Sequence, residues 1–359
     1  MSFHFLGIGT AVPKHTMSQD EAVAMSTELI CRDDRETRLL KTMLRRSRVK
    51  NRYTCVPHRI AYQWIGQDAP PSSTPGPTTR ERMQLYAEHA APLAAEASLQ
   101  ALANAHASSR EITHLITVSC TGFDAPGVDV YLIDHLGLSK TTQRLHIGYM
   151  GCHGSINAVR AASALSAQDS TARVLLCAVE LCSLHYRFQW DEERILGNAL
   201  FADGAAAVVG GRQLGNASSI CQVTDTASCL IADSRDTITW QVGDHGFEMT
   251  LSSRVPELIS EQLRPWLSQW LDSHGIPLSQ VRSWAVHPGG PRILDAVEEC
   301  LDLDQSMLAA SREVLEKFGN MSSPTVLFIL KHLLEQGKER PCVALGFGPG
   351  LVVEAVLFQ

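Results

Sequence analysis

The 359-residue sequence predicts an α/β fold in which helices cover mostly buried strands. Three observations lead there. Runs such as HLITVSC (114–120) and RVLLCAVE (173–180) lack the apolar–polar alternation of a half-wet strand, so both of their faces must be covered. Segments of helical period separate these runs, which is the pattern of a sheet wrapped by helices. Finally, ALFADGAAAVVG in the first half and LGFGPGLVVEAVLF in the second each pass from a glycine turn into an apolar strand. That echo suggests two duplicated halves, residues 1–212 and 213–359, with a boundary near 210–220.

Taken in order, FHFLGIGTAVP opens as a strand ending in a Gly/Pro turn, and a helix is expected from about Ser18 to Leu44. GQDAPPSSTPGPTT, with four prolines in residues 66–79, is a surface loop. Thr78 and Glu81 form a capping box for a helix through Ala105, because each side chain can satisfy the other's free backbone N–H. Strands 114–120 and 173–180 flank the segment around Cys152, and FADGAAAVVGG gives a further strand. Then follow a helix from Val255 to Ser273, strand SWAVH, helices from Pro291 and from Ser323, and strands CVALGFG and LVVEAVLF.

Composition narrows the class. With 45% hydrophobic residues the chain can bury a sizeable core, which excludes global disorder. A net charge of −7 argues against nucleic acid as the main partner. No apolar stretch approaches the roughly 18 residues of a membrane span. MSFHFLGIGTAVP has neither a basic leader nor a small-residue cleavage site, so a cytoplasmic protein is expected. Its ten cysteines contain no C-x-x-C pair and no zinc-like spacing, so reduced thiols and no metal are expected.

One cysteine stands apart. In GYMGCHGSINAVRAA, Gly151 and Gly154 allow a tight strand-to-helix turn, and Ile156, Val159, Ala162 and Leu165 mark one face of the helix that follows. Cys152 therefore sits near a helix N-terminus, where the dipole and free N–H groups favour a thiolate, the nucleophile of acyl transfer. The spacing alone fits a packing cysteine equally well, so partners decide. WAVHPGGPRILD puts His287 between a strand and a Pro/Gly turn, where α/β enzymes present catalytic groups. GNMSSPTVLFIL puts Asn320 in a glycine-led turn before an apolar helix, and GFGPGLVVEAVLF adds a glycine loop.

These four segments, in this order, resemble the type III polyketide synthases, the chalcone-synthase-like branch of the thiolase superfamily. The likeness runs from LGIGTAVP through ALFADGAAA to GFGPGLVVEAV, almost the entire chain, and its style is bacterial. The resemblance implies a five-layered αβαβα thiolase fold, a homodimer, and no metal or organic cofactor. It implies that Cys152, His287 and Asn320 form a catalytic triad. Cys152 would take an acyl group from an acyl-CoA, and His287 and Asn320 would stabilise the enolate left when malonyl-CoA loses carbon dioxide. Repeated extension and cyclisation would give a pyrone, resorcinol or phloroglucinol type of product.

The same resemblance makes Phe201 a gatekeeper between tunnel and cavity, with Met249 where plant enzymes carry a second phenylalanine. Cys120 and His185 stand where plant enzymes have threonine, Trp240 where they have a cavity glycine, and Gly197 and Ser322 complete the pocket. The departures at Met249 and Trp240 lead to the expectation of an aliphatic starter and a pyrone or resorcinol product. His153 reads as a turn histidine. In KTMLRRSRVKNR, Lys41, Arg45, Arg48 and Arg52 would share one face of a continued helix. Arg46 matches a CoA-contacting lysine, so Arg46, Lys41 and Arg45 are expected to meet the CoA phosphates; a solvated basic face is the plain alternative. Two other readings remain open at this level: a single-round β-ketoacyl synthase served by a carrier protein, and a non-catalytic binding subunit on the same fold.

Overall fold

The computed structural model describes residues 3–66, 69–192, 194–212 and 219–359. The expected junction of the halves at 212/213 falls at the edge of an undescribed segment. The first half contains β1 (Phe3–Ala11), β2 (His15–Ser18), α1 (Gln19–Leu29), α2 (Asp34–Arg46), β3 (Asn51–Thr54), α3 (Ile60–Ile65) and α4 (Thr79–Asn104). It continues through β4 (His114–Ser119), α5 (Val128–Leu136), β5 (Gln143–Gly148), α6 (Gly154–Gln168), β6 (Arg173–Leu181), α7 (Leu196–Leu200) and β7 (Asp203–Gly211). The second contains β8 (Cys221–Leu230), β9 (Ile238–Gly243), β10 (Gly246–Leu251), α8 (Val255–Ser273), β11 (Ser283–Val286) and α9 (Pro291–Leu301). It ends with α10 (Ala309–Phe318), α11 (Thr325–Glu335), β12 (Cys342–Gly348) and β13 (Val352–Phe358).

A nine-stranded sheet runs β11-β12-β13-β8-β1-β7-β6-β4-β5. From β1 outward the pairings are antiparallel to β7, antiparallel to β6 and parallel to β4. From β8 outward they are antiparallel to β13, antiparallel to β12 and parallel to β11. The two halves thus repeat one topology and meet along the short β1–β8 pairing at Phe3–Phe5.

Side-chain alternation makes this sheet five layers with its helices. Val174, Leu176 and Ala178 of β6 face a central core with Ala344 of β12 and Val356 of β13, filled by Ile156, Val159 and Ala162 of α6 and by Val326, Leu327 and Ile329 of α11. The opposite faces are covered by α4 and α5 over Leu175, Cys177 and Val179, and by α8 and α9 over Val343, Leu345 and Phe347. Both faces of β4, β6, β7 and β12 are buried, as their unbroken apolar runs require. The order is αβαβα, with α6 and α11 as the central pair.

The Thr78–Glu81 capping box is present, with Glu81 N–H donating to Thr78 Oγ1 at 3.3 Å and Thr78 N–H to Glu81 Oε2 at 2.8 Å. The expected single helix from Ser18 to Leu44 is instead α1 and α2, because Asp33 breaks the run and caps α2, accepting from Glu36 N–H at 2.9 Å. Nor does α2 carry the basic run to Arg52. It ends at Arg46, Arg48 turns the chain at φ 58°, and Arg52 lies buried on β3, donating to the carbonyls of Asn198 and Ala199. The last helix begins at Thr325, two residues beyond Ser323.

Candidate active site

The two central helices aim their N-terminal ends at one cavity. Ahead of α6 the chain turns through Tyr149 and Gly151, both in the left-handed region, and Gly151–His153 forms a single 3-10 turn presenting Cys152. Gly154 has an ordinary helical φ of −54°, so its role is close approach: a Cβ there would lie 2.8 Å from Val118 Cγ1. Ahead of α11, Asn320 is locked beside Phe201 by a parallel bridge, with Asn320 N–H donating to Leu200 O and Ala202 N–H to Asn320 O, each at 2.9 Å. The same short segment therefore fixes the expected gate residue and the expected amide donor.

Ser322 links these parts. Its φ of 57° is strained for a residue with a Cβ, at a cost of roughly 1–2 kcal/mol. Its N–H donates to Asn320 Oδ1 at 2.7 Å, which turns the Asn320 amide NH2 towards Cys152. Its hydroxyl lies 3.4 Å from Cys120 Sγ and also hydrogen-bonds the Cys152 thiol.

The cavity encloses about 1180 Å³, open mouth included, and Cys120, Cys152, His185, Gly197, Phe201, Trp240, Met249, Asn320 and Ser322 all line it. Burial pushes the Cys152 thiol up to about 11, against the Ser322 and Asn320 hydrogen bonds that pull it down. His287 follows β11 directly, its N–H donating to Leu345 O at 2.8 Å. It is wholly buried and, unlike Gly289 two residues on, is not among the lining residues; neither ring nitrogen has a hydrogen-bond partner among the described residues. Burial drives its imidazolium down to about 3, with His153 adding a smaller push in the same direction. The free protein therefore favours a neutral thiol and a neutral imidazole, not the resting thiolate expected from a helix end alone.

The expected pocket residues are tightly held. Trp240 Nε1 donates to Cys120 O at 2.7 Å, and Trp240 pairs with Met249 across the two-stranded β9–β10 ribbon that walls the cavity. His185 Nδ1 accepts from Phe247 N–H at 2.9 Å, which leaves Nε2 as the protonated nitrogen, 2.6 Å from Thr121 O. Its ring stacks on Phe247 at 4.3 Å and meets Trp240 edge-on at 5.5 Å. Lys41, Arg45 and Arg46 are exposed on α2, form no ion pair among the described residues and do not line the cavity; α2 packs on α7, which does. His153 is buried at 2% exposure, unlike an ordinary turn histidine.

Sequence reasoning missed Glu180. Wholly buried at the end of β6, it accepts from Cys120 N–H at 2.9 Å, Thr121 N–H at 3.0 Å and Thr121 Oγ1 at 2.7 Å through Oε2. Ser323 Oγ donates to its other oxygen at 2.5 Å, so one carboxylate ties the Cys120 turn to the Asn320 loop. The signal was there: RVLLCAVE places an acid in an otherwise apolar buried strand. Also missed was Glu248, gripped by Arg194 and Arg187 beside Met249. Among the described residues, no group of three or more His, Cys, Asp or Glu side chains is placed to hold a metal ion.

The family profile described as chalcone and stilbene synthases, N-terminal domain, matches residues 2–213, and the corresponding C-terminal domain profile matches residues 222–359. The alpha-pyrone synthesis polyketide synthase-like protein Pks18 of Mycobacterium tuberculosis is 32% identical over 360 residues, covering 98% of this chain and 90% of Pks18. The crystal structure of PKS-I from the brown alga Ectocarpus siliculosus superposes with a TM-score of 0.91 at 28% identity, covering 100% of this chain and 98% of that one. The C-terminal type III polyketide synthase domain of Steely1, a type I/III hybrid from Dictyostelium, also gives 0.91, at 25% identity and with 100% and 99% coverage.

Proposed function

Because the chain belongs to the chalcone and stilbene synthase family, the type III polyketide synthases, we propose that Cys152, His287 and Asn320 perform its decarboxylative condensation. The observation that carries this assignment is the convergence of both central helix starts on one cavity, with Cys152 at one and Asn320 ahead of the other. The substrates of the family are an acyl-CoA and malonyl-CoA. As Cys152 Sγ attacks the starter thioester carbonyl, its proton passes to His287, whose unpartnered ring nitrogens are free to take it. The C–S bond to CoA breaks, His287 returns the proton to the departing sulfur, CoA leaves as the thiol, and the acyl group stays on Sγ. Malonyl-CoA then loses its carboxylate as carbon dioxide, and the bonding pair moves onto C2 as an enolate. His287 and the Asn320 amide donate hydrogen bonds to the enolate oxygen, an interaction of roughly 3 kcal/mol for one such donor. C2 attacks the acyl carbon on Sγ, the C–S bond breaks, and Cys152 is released for the next round.

Phe201 and Met249 gate the CoA arm, and Lys41, Arg45 and Arg46, exposed on the helix packed against α7, meet its phosphates. No cofactor enters this chemistry. An aliphatic acyl starter fits the apolar wall of Ile238, Leu251, Ile293 and Phe347, with the Trp240 indole also on the lining. Pks18, named for alpha-pyrone synthesis, favours a pyrone among the cyclised products. A second copy of the chain covers β5: this edge strand is exposed, and Leu145, Tyr149, Met150, Tyr131 and Phe123 are exposed on or around it. No helix among the described residues is long and apolar enough to cross a membrane.

The test is turnover of malonyl-CoA with acyl-CoAs of increasing chain length and with aromatic starters. Pyrones built on aliphatic starters, absent from a folded Cys152→Ala variant, are expected. Product from Cys152→Ala would overturn the nucleophile, and clear preference for aromatic starters would overturn the starter class.

A further inference from the structure

His153 directly follows the proposed nucleophile, and the reaction itself gives it no task. One side of its ring is held by polar groups. Nδ1 lies 2.8 Å from Asn157 Oδ1, and Asn157 Nδ2 donates to Glu354 Oε1 at 3.0 Å. Since Glu354 can only accept there, Asn157 presents its oxygen to the histidine, and Nδ1 carries the proton. Glu354, 3% exposed, also takes Ser228 Oγ at 2.9 Å and the Arg160 guanidinium, so this end of the chain of contacts is anchored on β8 and β13.

The other side meets backbone that has no side chains. β12 passes the ring with Gly346 and Gly348. A Cβ at 348 would lie 2.2 Å from His153 Cδ2 and 2.3 Å from Nε2, and one at 346 would lie 2.9 Å from His153 Cβ. Neighbouring parts are as close: a Cβ at Gly151 would lie 2.5 Å from Pro349 Cδ. The same strand holds the proposed base, because His287 N–H donates to Leu345 O. Thus β12 acts as a common rail. The His287 backbone is fixed at residue 345, and His153, one residue from Cys152, rests with its Cβ at 346 and its ring at 348.

We propose that His153 is a positioning residue that sets the separation of the Cys152 thiol and the His287 imidazole, by seating its Cβ against Gly346 and its ring against Gly348 of β12. The inference rests on the reading of Cys152 as nucleophile and His287 as its base. It accounts for two glycines of the GFGPG loop as space for one histidine side chain.

The test measures acylation of Cys152 by intact-protein mass spectrometry, together with kcat and KM, for wild type, His153→Ala, His153→Phe, Gly348→Ala and the His153→Ala/Gly348→Ala double variant. Misplacing a reacting group by about 1 Å costs up to about 100-fold. His153→Ala is expected to lower kcat at least about tenfold while KM for the acyl-CoA changes less than about threefold. His153→Phe keeps a ring on the rail and is expected to retain more of the rate. Gly348→Ala is expected to be severely impaired, and removing the ring it collides with should restore part of its activity, since the two closest contacts of the new Cβ are ring atoms and the next is Met150 O at 2.9 Å. His153→Ala within twofold of wild type, or single-variant losses that simply multiply in the double variant, would overturn the proposal. Should the alanine variant not fold, the His153→Phe and Gly348→Ala rates decide alone: a fast Gly348→Ala enzyme contradicts the contact. If wild type does not load Cys152 at all, the nucleophile assignment fails first; if it loads and His153→Ala loads equally fast, only this inference fails.

Discussion

His185 gives the most quantitative test of how the cavity is held. Its folded form is neutral because Nδ1 must accept from Phe247 N–H, and burial lowers its pKa from 6.5 to about 3. For a histidine lowered on folding, stability is fully present above the unfolded pKa and is lost as pH falls below it, since only the unfolded chain takes the proton. At pH 5.0 the unfolded residue is 1.5 units below its pKa of 6.5, and at about 1.4 kcal/mol per unit the native state loses about 2 kcal/mol relative to pH 7.5. His185→Asn keeps an acceptor for Phe247 but removes the bond to Thr121 O and the stacking on Phe247. Those losses make the variant about 2–3 kcal/mol less stable than wild type at pH 7.5. All other titrating groups are common to both proteins and drop out of the difference. Urea unfolding at pH 7.5 and 5.0 should therefore show the gap closing by about 2 kcal/mol at the lower pH. A gap equal at both pH values would refute a neutral, desolvated His185.

Three other outcomes follow from the same contacts. Ser322→Ala removes the strongest hydrogen bond lowering the Cys152 thiol, so the pH midpoint for alkylation of Cys152 should move up; an unmoved midpoint contradicts that contact. Glu180→Ala orphans the Cys120 and Thr121 amides at about 1–3 kcal/mol each, whereas Glu180→Gln retains an accepting oxygen, so urea unfolding should show alanine the worse by at least about 2 kcal/mol. Equal losses would mean that the carboxylate oxygens do not carry the turn. Leu145→Glu puts a charge on the exposed β5 edge, and light scattering should find a dimer weakened at least about tenfold; an unchanged dimer would mean that the copies meet elsewhere.

What could be read from the sequence was local. Strands buried on both faces announce themselves as apolar runs, and β4, β6, β7, β12 and β13 were legible for that reason. The Cys152 turn was legible because glycine and helical periodicity are neighbours in the chain. β5 was not: QRLHIG is exposed along nearly its whole length, so burial leaves no imprint on its composition. The break between α1 and α2 turned on one capping aspartate inside a run of helix formers. Arg52 looked like a surface cation and instead satisfies two carbonyls 146 and 147 residues away. The Glu180 tie and the seat of His153 on Gly346 and Gly348 are likewise contacts between distant segments. A residue type alone does not specify its partner across 143 residues, as for Glu180 and Ser323.

The central claim is that Cys152 carries the growing chain. It is tested most directly by intact-protein mass spectrometry after mixing the protein with an acyl-CoA series in the absence of malonyl-CoA, followed by peptide mapping. The account predicts one acyl adduct, on Cys152, absent from Cys152→Ala. An adduct on Cys120 or Cys182, which also line the cavity, or none from any acyl-CoA, would contradict it.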